Sequence, residues 1–137
     1  MQLNMQLMRY INLLDKVTGV KTTRCFFYNN AIIFAVPKGF MAQAIGKNAS
    51  NIYYLQEKMG KRVRIVQESN GTEDIERFVR SIIEPAQFKS IEIKENELII
   101  TAGSMQNKAN LLGRNKKRFE ELKEIIRDDF SLELKVM

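Results

Sequence analysis

Apolar residues along this chain follow two rhythms, one of helical spacing and one of strand spacing. Leu7, Ile11 and Leu14 recur at helical intervals, and Gly19 stands where helices often end. Residues 22–28 and 31–36 are rich in aromatic and β-branched types, and Asn29-Asn30 between them predicts a hairpin turn. Pro37-Lys38-Gly39 breaks the chain before a short helix over 40–45. After Gly46 a longer helix is expected from about residue 49 to Met59, closed by Gly60. In 62–67, Val63 and Ile65 alternate with charged neighbours, the pattern of a strand with one buried face. The predicted order is α-β-β-α-α-β.

A polar joint follows, Glu68-Ser69-Asn70-Gly71, and the order then repeats. Thr72 is placed to cap a second opening helix whose first turn carries Glu73 and Asp74, the sign that a helix start favours. Ile75, Phe78, Val79 and Ile82 supply its apolar face, and Pro85 ends it. Strands over 88–94 and 97–102, a helix from Gly103-Ser104 to Leu112, a helix over 116–129 and a strand over 132–136 complete a second α-β-β-α-α-β series. An offset of 67 residues sets Ala44-Ile45-Gly46-Lys47-Asn48 beside Leu111-Leu112-Gly113-Arg114-Asn115. At the same offset Ile52, Leu55 and Met59 meet Phe119, Leu122 and Ile126, while Val63 and Ile65 meet Phe130 and Leu132. Ile32 and Ile33 meet Ile99 and Ile100, and Ile11 meets Phe78. The expected fold class is α+β, built as two tandem domains over 1–69 and 70–137.

Composition narrows the functional classes. The 137 residues carry 22 Lys and Arg against 16 Asp and Glu, a net charge of +6, which favours nucleic acid or an anionic surface as partner. There is no histidine, so the commonest neutral-pH acid/base group and the commonest zinc ligand are both missing. Cys25 is the single cysteine and forms no internal disulfide. No apolar run approaches the roughly 20 residues of a membrane span. Met1-Gln2-Leu3-Asn4 lacks the features of a secretory signal, so a cytoplasmic protein with no membrane partner is expected.

The stretch Ile45-Gly46-Lys47-Asn48-Ala49-Ser50-Asn51-Ile52, followed by Leu55, Gly60-Lys61 and Arg62-Val63-Arg64-Ile65-Val66, resembles the helix–loop–helix–strand centre of K-homology domains. In that family a G-x-x-G loop clamps the nucleic-acid backbone. The α-β-β-α-α-β order resembles the type II version, so the resemblance implies two tandem type II K-homology domains. Two such units filling the chain, with Glu84-Pro85-Ala86 leading into the second pair of strands, resemble the short archaeal NusA-like proteins. That family implies an RNA-binding factor in transcription termination or antitermination, with single-stranded RNA and RNA polymerase or a transcription complex as partners. Where the family motif ends in glycine, this chain has Ala49 in the first loop and Lys116 in the second.

The residues themselves argue for the same chemistry. A glycine between two helices lets the backbone approach a phosphate, because no Cβ intervenes. The next helix then points its free N–H groups and positive dipole end at that phosphate. Lys47 or Arg114 adds a full charge, and Ile45, Ile52 and Ile65 form an apolar floor for bases. Asn48, Asn51 and Arg64 are candidate polar contacts, with Ala49 and Ser50 completing the first loop. Gly113, Arg114, Asn115, Lys116 and Lys117 form its counterpart. There, Arg114, Lys116, Lys117 and Arg118 crowd a helix start while Asp128 and Asp129 sit at its end, an arrangement opposed to the macrodipole by about 0.3–1 kcal/mol per exposed charge. Two alternatives would offset it: a bound phosphate, or a solvated face relieved by the i,i+4 pairs Lys116–Glu120 and Lys117–Glu121, at about 0.2–0.5 kcal/mol each.

Catalysis finds little support. Glu120-Glu121 and Asp128-Asp129 are adjacent pairs that point to different sides of a helix. No Walker loop, nucleophile elbow or metal-spaced cluster occurs. The chain is expected to be no enzyme, with no cofactor, metal or small-molecule substrate. Alternative readings are a ribosome-associated or RNA-processing protein, or a polymerase-binding scaffold whose loops no longer hold RNA. Cys25 is expected to be a buried small hydrophobe, and at least one of Tyr53 and Tyr54 is expected in the core.

Overall fold

A computed structural model describes residues 4–137; Met1 to Leu3, which entered the reading of the amino terminus, lie outside it. The described chain divides into two compact units, one ending at Ser69 and one spanning Asn70–Met137. In both, the order is α-β-β-α-α-β, the type II K-homology arrangement, within the α+β class.

In the first unit, helix α1 (Met5–Thr18) is capped by Asn4, whose side-chain oxygen accepts the Leu7 N–H at 2.8 Å. Gly19, at φ 76°, closes it by donating to the Asp15 carbonyl. Strands β1 (Arg24–Tyr28) and β2 (Ala31–Val36) form the expected hairpin, with Asn29 and Asn30 at φ 50° and 61°. Two consecutive positive φ angles give the turn twist that antiparallel strands favour. β1 begins two residues later than its composition suggests. The Thr22 hydroxyl donates to the Ala35 carbonyl and accepts the Arg24 N–H, replacing a ladder with a side-chain turn.

Helices α2 (Met41–Ile45) and α3 (Ser50–Met59) then carry the chain to β3 (Arg62–Gln67), which lies parallel to β2. All six residues of β2, the central strand, are buried. Leu7, Leu14, Val20, Cys25, Ile32, Phe34, Val36, Ala44, Leu55 and Val63 make one core drawn from helices and strands alike. Ile11, assigned to this face by its spacing, packs against that core half-buried. α3 turns Ile52, Leu55 and Met59 inward, which leaves both Tyr53 and Tyr54 in solvent, 64% and 47% exposed. The expectation that one of them enters the core fails on helical phase: at about 100° per residue, both lie well round α3 from the face that Ile52, Leu55 and Met59 share.

The second unit repeats the plan with helix α4 (Ile75–Ile83), strands β4 (Ser90–Lys94) and β5 (Glu97–Thr101), helices α5 (Met105–Leu112) and α6 (Lys117–Phe130), and strand β6 (Glu133–Val136). Thr72 does not cap α4. It opens a short 3₁₀ turn, Thr72–Asp74, and Asp74 stands at the cap position instead. The Asp74 carboxylate accepts the Asn70 N–H and pairs with Arg77 at 2.7 Å. Phe88 precedes β4 as a buried residue beneath the Arg80 guanidinium, 4.0 Å from its ring centre.

The two copies do not keep one offset. Arg24 opposite Ala35 corresponds to Ser90 opposite Thr101, 66 positions on. Ala31 opposite Arg62 corresponds to Glu97 opposite Glu133, 71 positions on in the last strand. The drift arises because α6 has 14 residues and α3 has 10. Val63 therefore matches Leu134, while Phe130, its partner at a constant offset of 67, closes α6 and meets the Phe78 ring edge-on. In the hairpin Ile32 and Ile33 match Leu98 and Ile99, one residue short of the pairing read from sequence.

Cys25 is fully buried opposite Phe34, and burial pushes its thiol up to about 12. Native protein should resist a thiol reagent at pH 8 that modifies the urea-unfolded chain completely. Between the ordinary thiol range and about 12, the folded state keeps a proton that the unfolded state loses, so stability should fall as pH rises there. A urea midpoint lower at pH 10 than at pH 8, with the gap narrowed by Cys25→Ala, checks this; rapid native modification contradicts it.

Candidate nucleic-acid interface

The corner between α2 and α3 and the corner between α5 and α6 have nearly one backbone. Gly46 sits at φ 79°, ψ 164° and Gly113 at φ 72°, ψ 178°, a region that side chains exclude. Asn48 (φ 55°, ψ 34°) and Asn115 (φ 54°, ψ 30°) are left-handed, which explains the repeated Asn, the non-glycine residue that best tolerates that shape. Ala49 (φ 60°) and Lys116 (φ 60°) are left-handed too. The glycines of the family motif would relax here, but the loop keeps its course without them. Each loop closes with the same bond, Ala49 N–H to Gly46 O at 3.1 Å and Lys116 N–H to Gly113 O at 3.2 Å.

A second constraint enforces the glycines. Asn51 Nδ2 reaches back across the corner to donate to the Gln43 carbonyl at 3.0 Å. In the other unit, Arg118 Nη1 donates to the Asn110 carbonyl at 3.1 Å. A Cβ on Gly46 would lie 2.8 Å from Asn51 Nδ2 and from Ser50 Oγ; one on Gly113 would lie 2.7 Å from Arg118 Cγ. The strut side chain occupies the space a larger residue would need. Gln43 extends the brace, its Nε2 donating to the Thr18 carbonyl at the end of α1.

The heads of α3 and α6 have no side-chain cap, whereas Asn4 and Ser104 cap α1 and α5. The first N–H of each helix is held by the turn before it, Ser50 donating to the Lys47 carbonyl and Lys117 to the Arg114 carbonyl. Beside these heads stand the exposed side chains of Lys47 and Asn48 in one unit, and Arg114, Asn115, Lys116 and Lys117 in the other. Ser50 is exposed at the head of α3, while Ile45, Gly46, Ala49, Asn51 and Ile52 are half-buried. Gly113 is likewise half-buried. Ile52 and Ile65 pack against the core margin. Arg64 is half-buried on β3 in register with Ile33, off the corner itself. The structure thus gathers 45–52 into one corner and 113–117 into another. Arg77–Asp74, Arg80–Glu76 and Lys135–Glu97 are ion pairs of the second unit outside its corner.

Sequence reasoning missed Arg118 and Gln43 as parts of the corner. The available signal was their repetition: Gln43 with Asn51 and Asn110 with Arg118 are the same pair of positions in the two copies. It also passed over how charge is divided. Residues 2–69 hold ten Lys and Arg against Asp15, Glu57 and Glu68, whereas 70–137 hold twelve against thirteen acids. No acidic residue occurs from Lys16 to Gln56, or from Leu98 to Phe119, so each corner lies in an acid-free stretch. Among the described residues no three His, Cys, Asp or Glu side chains are grouped to hold a metal, and no helix is long and apolar enough to cross a membrane.

No family model matches the chain. It is 28% identical over 101 residues to the "Probable transcription termination protein NusA" of Methanococcus vannielii, covering 72% of this chain and 57% of that protein. The protein of the same name from Halococcus morrhuae is 30% identical over 89 residues, 65% of this chain and 62% of the relative. The matched stretch thus spans less than two thirds of either relative. Among solved structures, the crystal structure of APE1850 superimposes with a TM-score of 0.70 and 27% identity, over 98% of this chain and 100% of that one. The chain resembles the archaeal NusA-like proteins, as its loop and its repeat led one to expect.

The corner geometry makes Gly46→Ala and Gly113→Ala destabilising, each by about 1–3 kcal/mol from backbone strain alone. Gly39→Ala, at a site with open space around it, should be near neutral. Adding Asn51→Ala and Ser50→Ala to Gly46→Ala should remove the steric part and leave the backbone part. Urea unfolding reads all four; equal midpoints for Gly39→Ala and Gly46→Ala would refute the strained corner.

Proposed function

We propose that the chain is an RNA-binding factor of transcription termination or antitermination. It acts in the cytoplasm by holding single-stranded RNA against RNA polymerase or its transcript, and carries out no chemistry of its own. The observation that carries this reading is the duplicated corner: a glycine without room for a side chain, a left-handed asparagine, a lysine or arginine, and a helix head without a side-chain cap. That combination offers backbone N–H groups, a dipole end and a cation to one phosphate, with no Cβ barring its approach. The names of the archaeal relatives support the setting in transcription.

In this reading the phosphodiester strand runs past Gly46, Lys47 and Asn48, and Ile45 and Ile52 border the bases. The first unit is the main holder, because its ten cations face only three acids. The second corner, nearly identical in backbone, contributes through Arg114, Lys116 and Lys117 against a neutral background. Asn51 acts by bracing the corner with its amide N–H. The contrasting reading, a polymerase-binding scaffold with silent loops, gains weight only if RNA affinity is absent or independent of salt.

Lys47→Asp with Asn48→Asp should weaken RNA binding by tenfold or more while the far-UV spectrum and urea midpoint barely change, since both side chains are exposed. Affinity should fall with salt at a log–log slope of about −0.7 per phosphate contacted, and more shallowly in the variant. Anisotropy titration of labelled single-stranded RNA reads both. Unchanged binding in the variant would sink the assignment of the first corner.

A further inference from the structure

Beside the first corner lies a feature that the clamp does not use. A cleft of about 700 Å³ opens between α1 and α3, lined by Leu13, Lys16 and Val17 on one side and Ser50, Asn51, Tyr54 and Lys58 on the other. Its size falls within the range of ligand-holding pockets. No acid lines it, and both of its charged residues are lysines. Tyr54 stands 47% exposed, with Lys58 Nζ 5.5 Å from its ring centre, so an aromatic plane and a cation are presented together. Leu13 and Val17 add apolar wall.

Resting on the reading of the corner as an RNA clamp, we infer that this cleft holds a further nucleotide of the same RNA strand, its base against Tyr54 and its phosphate between Lys16 and Lys58. Three observations select that occupant. The cleft is joined to the corner through shared residues: Ser50 and Asn51 form its wall and are the side chains that a Cβ on Gly46 would strike. A strand leaving the clamp there meets the cleft as its next surface. The charge is of one sign, opposite to that of phosphate. The exposed tyrosine offers the sequence-tolerant platform on which unpaired bases stack. The second unit lacks it: the positions matching Tyr54 and Lys58 across the equivalent helix heads are Glu121 and Ile125, the latter buried. The further subsite belongs to the first unit alone, which also carries the positive charge.

The test compares single-stranded RNAs of roughly four nucleotides, the stretch a loop of this kind clamps, and of about eight. Anisotropy is measured for the full chain and for Tyr54→Ala, Tyr54→Phe, Lys16→Gln with Lys58→Gln, and Lys47→Asp with Asn48→Asp. Tyr54→Ala and the lysine pair should weaken the longer RNA about tenfold and leave the shorter one unchanged, with Tyr54→Phe restoring the wild-type preference for length. Equal losses at both lengths, or none, overturn the cleft assignment while the clamp stands. Binding untouched by Lys47→Asp with Asn48→Asp at either length overturns the clamp itself. Cleft variants that spare both RNAs but abolish binding of a glutamate-rich peptide assign the surface to a protein partner and overturn the proposal.

Discussion

One steric relation recurs in the two halves and fixes what each can do. The second residue of the second helix of the pair reaches back across the preceding corner and bonds to a carbonyl of the first helix, as Asn51 does to Gln43 and Arg118 to Asn110. That crossing leaves no volume for a Cβ at Gly46 or Gly113. The corner is thereby held in a shape that favours glycine, and the next helix starts from Ala49 or Lys116, neither of which caps it through its side chain. Asparagine and arginine serve as struts because each supplies an N–H donor at the end of a side chain long enough to cross the corner. The shape of the loop therefore depends on a residue outside it.

Charge then separates two units that the backbone makes alike. The first has cations with almost no acids, and half of those cations lie along an acid-free run that includes β1, β2 and α2. The second balances its cations with acids, and keeps those acids out of 98–119, the stretch that carries its corner. Local charge at both corners is positive, whereas the long-range field comes from one unit. Because a field steers an approaching polyanion over a Debye length of about 8 Å at physiological salt, and a corner acts only at contact, the two levels of charge have separate consequences.

Much of this was legible in the amino-acid pattern. β2 and β3 match the runs 31–36 and 62–67 read from alternation and β-branching, and Gly19 and Gly60 end their helices as the spacing implied. What escaped had physical reasons. The start of β1 depends on the Thr22 hydroxyl reaching the Ala35 carbonyl, a contact 13 residues away. Thr72 opens a 3₁₀ turn that puts Asp74 at the start of α4, where its carboxylate bonds the Asn70 N–H and Arg77 and no side chain caps the helix. Tyr53 and Tyr54 looked like core by composition, but helical phase turned both outward. At the site, the glycine and the cation were visible in sequence, whereas the left-handed backbone at Ala49 and Lys116 was not, since neither residue type favours it. Arg118 read as one more basic residue at a helix start, and only its bond to Asn110 shows it to be a brace.

The longer final helix of the second unit shows where such a fold tolerates growth. The corner is fixed at one end of the helix by its strut and the closing strand at the other by parallel pairing, so added residues must leave both attachments in phase. Four residues rotate a helix by about 400°, close to a whole revolution, while two would swing the far end to the opposite side. Insertion in this segment is in effect quantised by the helical period, and lineages of such proteins should differ here by whole turns, not by single residues.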